Sequence, residues 1–205
     1  WLPDEQAWRR CLGPVSTEKV KKFPCFLALD LSQKNDLTAL SACWRSPDDK
    51  LTLKTWYWTT RGGLARREAR DAIPYTAFEA ENYLTICESV TIDYTFVAQQ
   101  VAALRAEFEV DSLTVDPAYV TTFIKDAAEV GLQVWRYMGP KEPAGSGLKI
   151  VTHAQGTKIA FEDRQLCMPH SISRMTDKIL KGEVLIEENK LTDVCASNVV
   201  LYADG

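Results

Sequence analysis

The chain has 205 residues, enough for one ordinary domain with at most a short extra segment. Hydrophobic residues make up 46% and charged residues 25%, the balance of a soluble globular protein with a sizeable core. No run of about 18 apolar residues occurs, which excludes a membrane-spanning helix, and no secretory signal pattern opens the chain. With 24 basic and 28 acidic side chains the net charge is −4, a mild argument against a nucleic-acid-binding surface over the whole molecule.

The six cysteines (Cys11, Cys25, Cys43, Cys87, Cys167 and Cys195) form no C-x-x-C pair. Cys25, Cys43 and Cys195 lie in apolar runs, as small buried hydrophobes do. Neither a zinc site nor a disulfide framework is expected, and the compartment reads as reducing and intracellular.

Residues 1–20 are polar with scattered tryptophans and read as a connecting segment, with a short helix from Asp4 to Cys11. Residues 24–30, Pro-Cys-Phe-Leu-Ala-Leu-Asp, form an apolar run ending in an acid and suit a buried strand. Residues 38–45 and 51–58 read as two further strands, joined by the turn Ser46-Pro-Asp-Asp-Lys50. Three strands with short links imply an antiparallel meander.

The period then changes. Residues 64–72 read as a helix with a basic face, and 93–108 carry apolar residues at helical spacing. Residues 111–116, Asp-Ser-Leu-Thr-Val-Asp, are a fourth strand that again ends in an acid. A helix over 118–130 stops at Gly131, and 132–138 are a fifth strand. Gly139 to Gly147 is a loop; 148–162 and 170–181 are expected as helices, Val184–Glu187 as a short strand, and 190–201 as a last helix. A meander followed by βαβ units gives an α/β fold, a mixed sheet flanked by helices, in the element order of ribonuclease H.

Two strands end in aspartate, Asp30 and Asp116, and ligand sites in open α/β sheets gather at the carboxyl ends of strands. Hard cations such as Mg²⁺ take oxygen ligands, and a pair of them can clamp the attacking and leaving oxygens of a phosphodiester. That chemistry needs three or four acids. The ordinary alternative is that a strand-end aspartate only forms a turn or caps a helix. Asp36 lies six residues after Asp30 and is placed to face back toward it. The further acid is open between Asp193 and Asp204, with Glu187 and Glu188 as outside choices; a helix separating the first two by eleven residues spans about 16 Å, so both cannot serve. His153 and His170 read as surface or structural residues. A P-loop, a G-x-S-x-G elbow and an H-E-x-x-H pair are all absent. Arg61, Arg66, Arg67 and Arg70 put four arginines into ten residues, and Lys19, Lys21 and Lys22 form a second basic cluster.

Leu29-Asp-Leu-Ser followed by Asp36-Leu-Thr-Ala39, and Leu113-Thr-Val-Asp-Pro117, resemble the first and second acidic motifs of the nuclease domain of tailed-phage large terminases. Trp56-Tyr-Trp-Thr-Thr60, Tyr75, Asn82-Tyr-Leu-Thr85, Thr91-Ile-Asp-Tyr94, Met168-Pro, Leu180-Lys-Gly182 and Cys195-Ala-Ser-Asn-Val-Val-Leu-Tyr-Ala-Asp204 follow the family's spacing. The resemblance implies an RNase H-like fold and a two-metal endonuclease acting on double-stranded viral DNA during packaging. By position it implies Asp30, Asp36, Asp116 and Asp204 as ligands of two Mg²⁺ or Mn²⁺ ions, with Asp193 as the alternative, and Asp30, Asp116 and Asp204 as catalytic. Arg61, Arg66, Arg67, Arg70 and Lys141 are the expected DNA contacts. Where relatives have N-P this chain has Asn189-Lys190, and the histidine that precedes it in relatives is missing, so no histidine ligand is assigned. The resemblance further implies that residues 1–20 link to an absent N-terminal ATPase domain and 21–205 form the nuclease. Its implied partners are the small terminase subunit and the portal protein, in the host cytoplasm and not at a membrane. A Holliday-junction resolvase, a transposase core, and a non-catalytic DNA or portal docking module are the other readings.

Overall fold

The computed structural model describes residues 4–32, 36–141, 143–153, 159–161, 164–166 and 168–199. The chain opens with α1 (Glu5–Arg10), β1 (Leu12–Gly13) and α2 (Thr17–Val20), then forms the meander β2 (Cys25–Asp30), β3 (Thr38–Arg45) and β4 (Leu51–Thr60). Next come α3 (Leu64–Asp71), α4 (Tyr75–Ala80), β5 (Thr85–Cys87), α5 (Tyr94–Glu107), β6 (Val110–Val115), α6 (Val120–Glu129) and β7 (Val134–Arg136). The remainder is β8 (Leu148–Thr152), β9 (Ile159–Phe161), β10 (Arg164–Leu166), α7 (Met168–Lys181), β11 (Val184–Glu187) and α8 (Lys190–Ser197).

Among the described residues nine strands make one mixed sheet in the order β1-β11-β4-β3-β2-β6-β8-β7, with β5 on β4 beside this path. The meander is antiparallel, whereas β2, β6, β8 and β7 run parallel to one another. Alternation along β2 sets its two faces: Cys25, Leu27 and Leu29 are buried, Ala28 and Asp30 are exposed. The buried set joins Leu40, Ala42 and Trp44 of β3 and packs under α5 and α6 through Val97, Val101 and Phe123. The opposite face is covered in two places, by α3, α4 and α8 around Tyr57, Leu64, Phe78 and Leu191, and by α1 and α7 around Trp8 and Ile179. On this face Ala28 and Asp30 of β2 are left exposed. This is the helix-flanked mixed sheet of the RNase H-like fold.

Three expectations change. Residues 4–20, read as a connecting segment, are built into the domain: β1 pairs in parallel with β11, and Ala7, Trp8 and Cys11 are buried against Ile179, Val184 and Ile186. Residues 148–162, read as helix, begin with strand β8, which inserts between β6 and β7. Gly147 makes that entry possible. Its φ is +93°, and a Cβ there would lie 2.2 Å from the Gln133 carbonyl oxygen, so any other residue forces β8 off β7. The last helix is described as far as Ser197, short of the 201 expected.

Candidate active site

The register of three parallel strands brings two aspartates and a histidine into one row. Leu29 of β2 pairs with Val115 of β6, and Val115 pairs with Thr152 of β8. The next residues along these strands are Asp30, Asp116 and His153, and one step past a paired row they share a face. Neighbouring strands lie about 4.8 Å apart, so the two aspartates stand side by side and His153 stands one strand further on. The Val115 carbonyl accepts the His153 N–H at 2.9 Å, which continues the ladder to the end of the row. All three line one groove of about 300 Å³ on the open part of the sheet. Its floor is small residues, Ala28, Ala39, Ser41 and Thr114, and Ser171 of α7 borders it.

Electrostatics single out Asp30. Desolvation first, then the negative charges of Asp36 and Asp116, hold its carboxyl above the usual carboxylate range. The acids that the sequence put in separate segments therefore act on one another in space. Asp116 is oriented by its own turn, its Oδ1 accepting the Ala118 N–H at 2.8 Å. One residue later Tyr119 holds φ at 61°, a left-handed conformation costly for an aromatic residue, and is exposed. Strain of this kind collects at functional turns; no sequence signal marked it.

Asp36 sits in the loop between β2 and β3, anchored at Ser32. The Thr38 hydroxyl accepts the Ser32 N–H at 2.9 Å and donates to the Ser32 carbonyl at 3.2 Å, while the Tyr94 hydroxyl donates to the same carbonyl at 3.0 Å. Thr38 is fully buried, so this clamp is preorganised. Thr38→Val keeps the shape and removes two of the three bonds. It is expected to cost about 1–3 kcal/mol of stability and to weaken Mn²⁺ binding several-fold, measured by thermal melting and calorimetric titration. An unchanged Mn²⁺ affinity would dissociate the clamp from the acids.

The far side of Asp36 is bordered by α3 and α8. Its charge raises the Arg70 pKa, after the larger effect of the Asp71 ion pair, and burial followed by Asp36 pushes the Cys195 thiol up to about 11. Of the late acids, Asp193 accepts the Trp8 indole N–H at 2.8 Å through its Oδ1, which ties α8 to α1. Glu187 is engaged by the Lys54 ammonium at 2.7 Å, and Glu187 and Glu188 line a separate groove beside Trp56 and Tyr83. Asp204 lies outside the described residues.

The donor set of Asp30, Asp36 and Asp116 is all oxygen, which suits Mg²⁺ or Mn²⁺. Among the described residues, no group of three or more His, Cys, Asp or Glu side chains stands close enough to hold an ion. The fit is therefore two carboxylates in one row, with Asp36 near enough to perturb Asp30 but not already gathered around a common point.

The basic residues divide. Arg67, expected on DNA, is only 6% exposed. Its guanidinium donates to the Gly62 carbonyl at 2.9 Å, to the hydroxyls of Thr60 and Thr59 at 3.2 and 3.1 Å, and to the Thr60 carbonyl. It braces the end of β4 under α3, and the expectation of a DNA contact is corrected on that ground. Arg61 makes a bidentate pair with Glu79 and a second contact to Glu88. Arg66 and Arg70 lie on the exposed side of α3, Arg70 sharing Asp71, and Lys141 is exposed in the loop before β8. His153, read as a surface or structural residue within a helix, follows strand β8 and lines the groove.

Residues 1–142 match the family model of the terminase large subunit, endonuclease domain. The chain belongs to this family. The terminase large subunit of Enterobacteria phage HK97 is 27% identical over 198 residues, covering 97% of this chain and 34% of that protein. The crystal structure of the HK97 bacteriophage large terminase superposes with a TM-score of 0.70 at 24% identity, over 90% of this chain and 33% of that one. The chain thus spans about a third of the length of these terminases. Asp30, Asp36 and Asp116 all fall within the matched residues, and His153, Asp193 and Asp204 fall beyond them. Among the described residues no helix is long and apolar enough to cross a membrane.

Proposed function

We propose that this terminase nuclease domain is a metal-dependent endonuclease that hydrolyses phosphodiester bonds of double-stranded viral DNA during genome packaging. The observation that carries the reading is the row of Asp30 and Asp116 on adjacent parallel strands, facing one open groove, with Asp36 close enough to perturb Asp30. Asp30 and Asp116 would hold two Mg²⁺ or Mn²⁺ ions, with Asp36 and Asp204 completing the oxygen shell. When bound, such ions lower the pKa of the attacking water and offset charge on the departing 3′ oxygen.

The protein's own part is positioning. Asp116 is fixed by the Ala118 N–H and Asp30 by its place at the end of a central strand. The Ser32 clamp keeps Asp36 within electrostatic reach. The small floor residues leave room for a backbone to approach. Arg66 and Arg70 on α3, with Lys141, supply phosphate contacts that the net charge of −4 conceals. Cutting sites would be chosen by partners: the small terminase subunit, the portal protein and an ATPase domain of the same large subunit.

The test is cleavage of linear duplex and of a four-way junction with Mn²⁺ or Mg²⁺, against a chelator control. Metal-dependent cutting of linear duplex at least as fast as of the junction is expected. A strong preference for the junction would move the assignment to a resolvase. A folded protein that binds duplex but neither metal nor cuts would make the domain a docking module.

Arg66→Ala is expected to weaken duplex binding several-fold and to reduce the slope of log affinity against log salt by about one. Arg70→Ala should do less, because Asp71 already shares that guanidinium. Fluorescence anisotropy across a salt series measures both; a slope unchanged in Arg66→Ala would take α3 off the DNA path.

A further inference from the structure

The acid groove poses a problem for its own substrate. A phosphodiester carries negative charge, and the groove is lined by two aspartates with a third nearby. Among the described residues no lysine or arginine lines it. The donors on its walls are the hydroxyls of Ser41, Thr114 and Ser171 and the ring of His153. Ser41 lies on the floor, on β3. Thr114 lies on the floor, two residues before Asp116 on the same face. His153 and Ser171 are the donors at the rim, one ending β8 and the other near the start of α7.

The register fixes where His153 stands along the sheet. It is in the row of Asp30 and Asp116, one strand beyond Asp116 and two beyond Asp30, about 10 Å from the latter. It does not form a ready trio of ligands with them, since no group of three such side chains is close enough among the described residues. A ring placed beside the acids, but not gathered with them, is suited to substrate.

We infer that His153 is a substrate-binding residue: its ring N–H donates to a non-bridging oxygen of the phosphate next to the one being cut, with the Ser171 hydroxyl as a second donor from α7. The inference rests on the endonuclease reading and deepens it. It gives the groove a direction, with the scissile phosphate over Asp30 and Asp116 and the neighbouring phosphate over the end of β8.

The experiment is steady-state cleavage of a short fluorescent duplex by wild type, His153→Ala and His153→Gln, with Mn²⁺ affinity of each measured by calorimetry. A hydrogen bond to a charged oxygen is lost in His153→Ala, so KM is expected to rise about tenfold while kcat stays within about threefold. Mn²⁺ affinity should be unchanged, and His153→Gln, which keeps a donor, should recover most of the KM. Kinetic constants equal to wild type in His153→Ala would overturn the inference, and so would a loss of Mn²⁺ binding in that variant, since the ring would then serve the metal. A wild-type protein that neither bound nor cut duplex would overturn the endonuclease reading itself, whereas an active wild type with an indifferent His153 would overturn this inference alone.

Discussion

Asp30→Asn and Asp116→Asn are each expected to reduce Mn²⁺-dependent cleavage of duplex DNA by at least about a thousandfold. Losing the metal-holding charge removes several kcal/mol of transition-state stabilisation, and about 4 kcal/mol corresponds to that factor. The lesion should not come from unfolding. For Asp30 the opposite is expected. Its folded pKa is raised, by desolvation first and by Asp36 and Asp116 next. A raised carboxyl favours the folded state fully below its unfolded pKa, about 3.9, and that contribution is lost as pH rises through the folded value. At neutral pH the ionised Asp30 is therefore a liability, and asparagine removes it. Without metal, Asp30→Asn should melt above wild type at pH 7, and the gap should close as the pH falls toward 4. Saturating Mn²⁺ should favour wild type, because binding stabilises only the protein that can bind. Thermal melting across pH, with and without Mn²⁺, checks both signs. Cleavage at near wild-type rate by either variant would remove that residue from the site.

Arg67→Ala should be the most destabilising change among the basic residues, by about 3 kcal/mol. The guanidinium is buried and serves two carbonyls and two hydroxyls at the end of β4. Truncation leaves those acceptors in a water-poor pocket beneath α3. For a domain of this size that loss lowers the melting temperature by about 6–12 °C. Arg67→Lys should recover only part of it, since one ammonium cannot reproduce a planar fork. Duplex affinity per folded molecule should be unchanged, in contrast to Arg66→Ala. Urea unfolding and anisotropy separate the two roles: an unchanged midpoint with weakened DNA binding would return Arg67 to the DNA surface.

The meander and the two acid-ending strands were legible because their signals are local. Residues 38–45 coincide with β3, and the alternation that buries Leu27 and Leu29 leaves Asp30 on the other face. What failed was local ambiguity or long-range pairing. Leu148-Lys-Ile-Val-Thr152 is too short for its period to distinguish helix from strand, and only pairing with β6 and β7 settles it. Reading it as helix removed His153 from the row it ends. Arg67 was counted with its neighbours as a surface charge, although it lies three residues after Leu64 and so on the buried stripe of α3. Trp8, Ala7 and Cys11 had helical spacing, but their partners Ile179, Val184 and Ile186 lie far along the chain. The same distance hid the Trp8–Asp193 bond, which places Asp193 in the framework.

The central claim is that Asp30 and Asp116 hold divalent metal at the ends of β2 and β6. Anomalous scattering from crystals saturated with Mn²⁺ tests it most directly. The account predicts a peak within coordination distance of both carboxylates, lost in Asp116→Asn. Strong peaks elsewhere, with none at either aspartate, would contradict it.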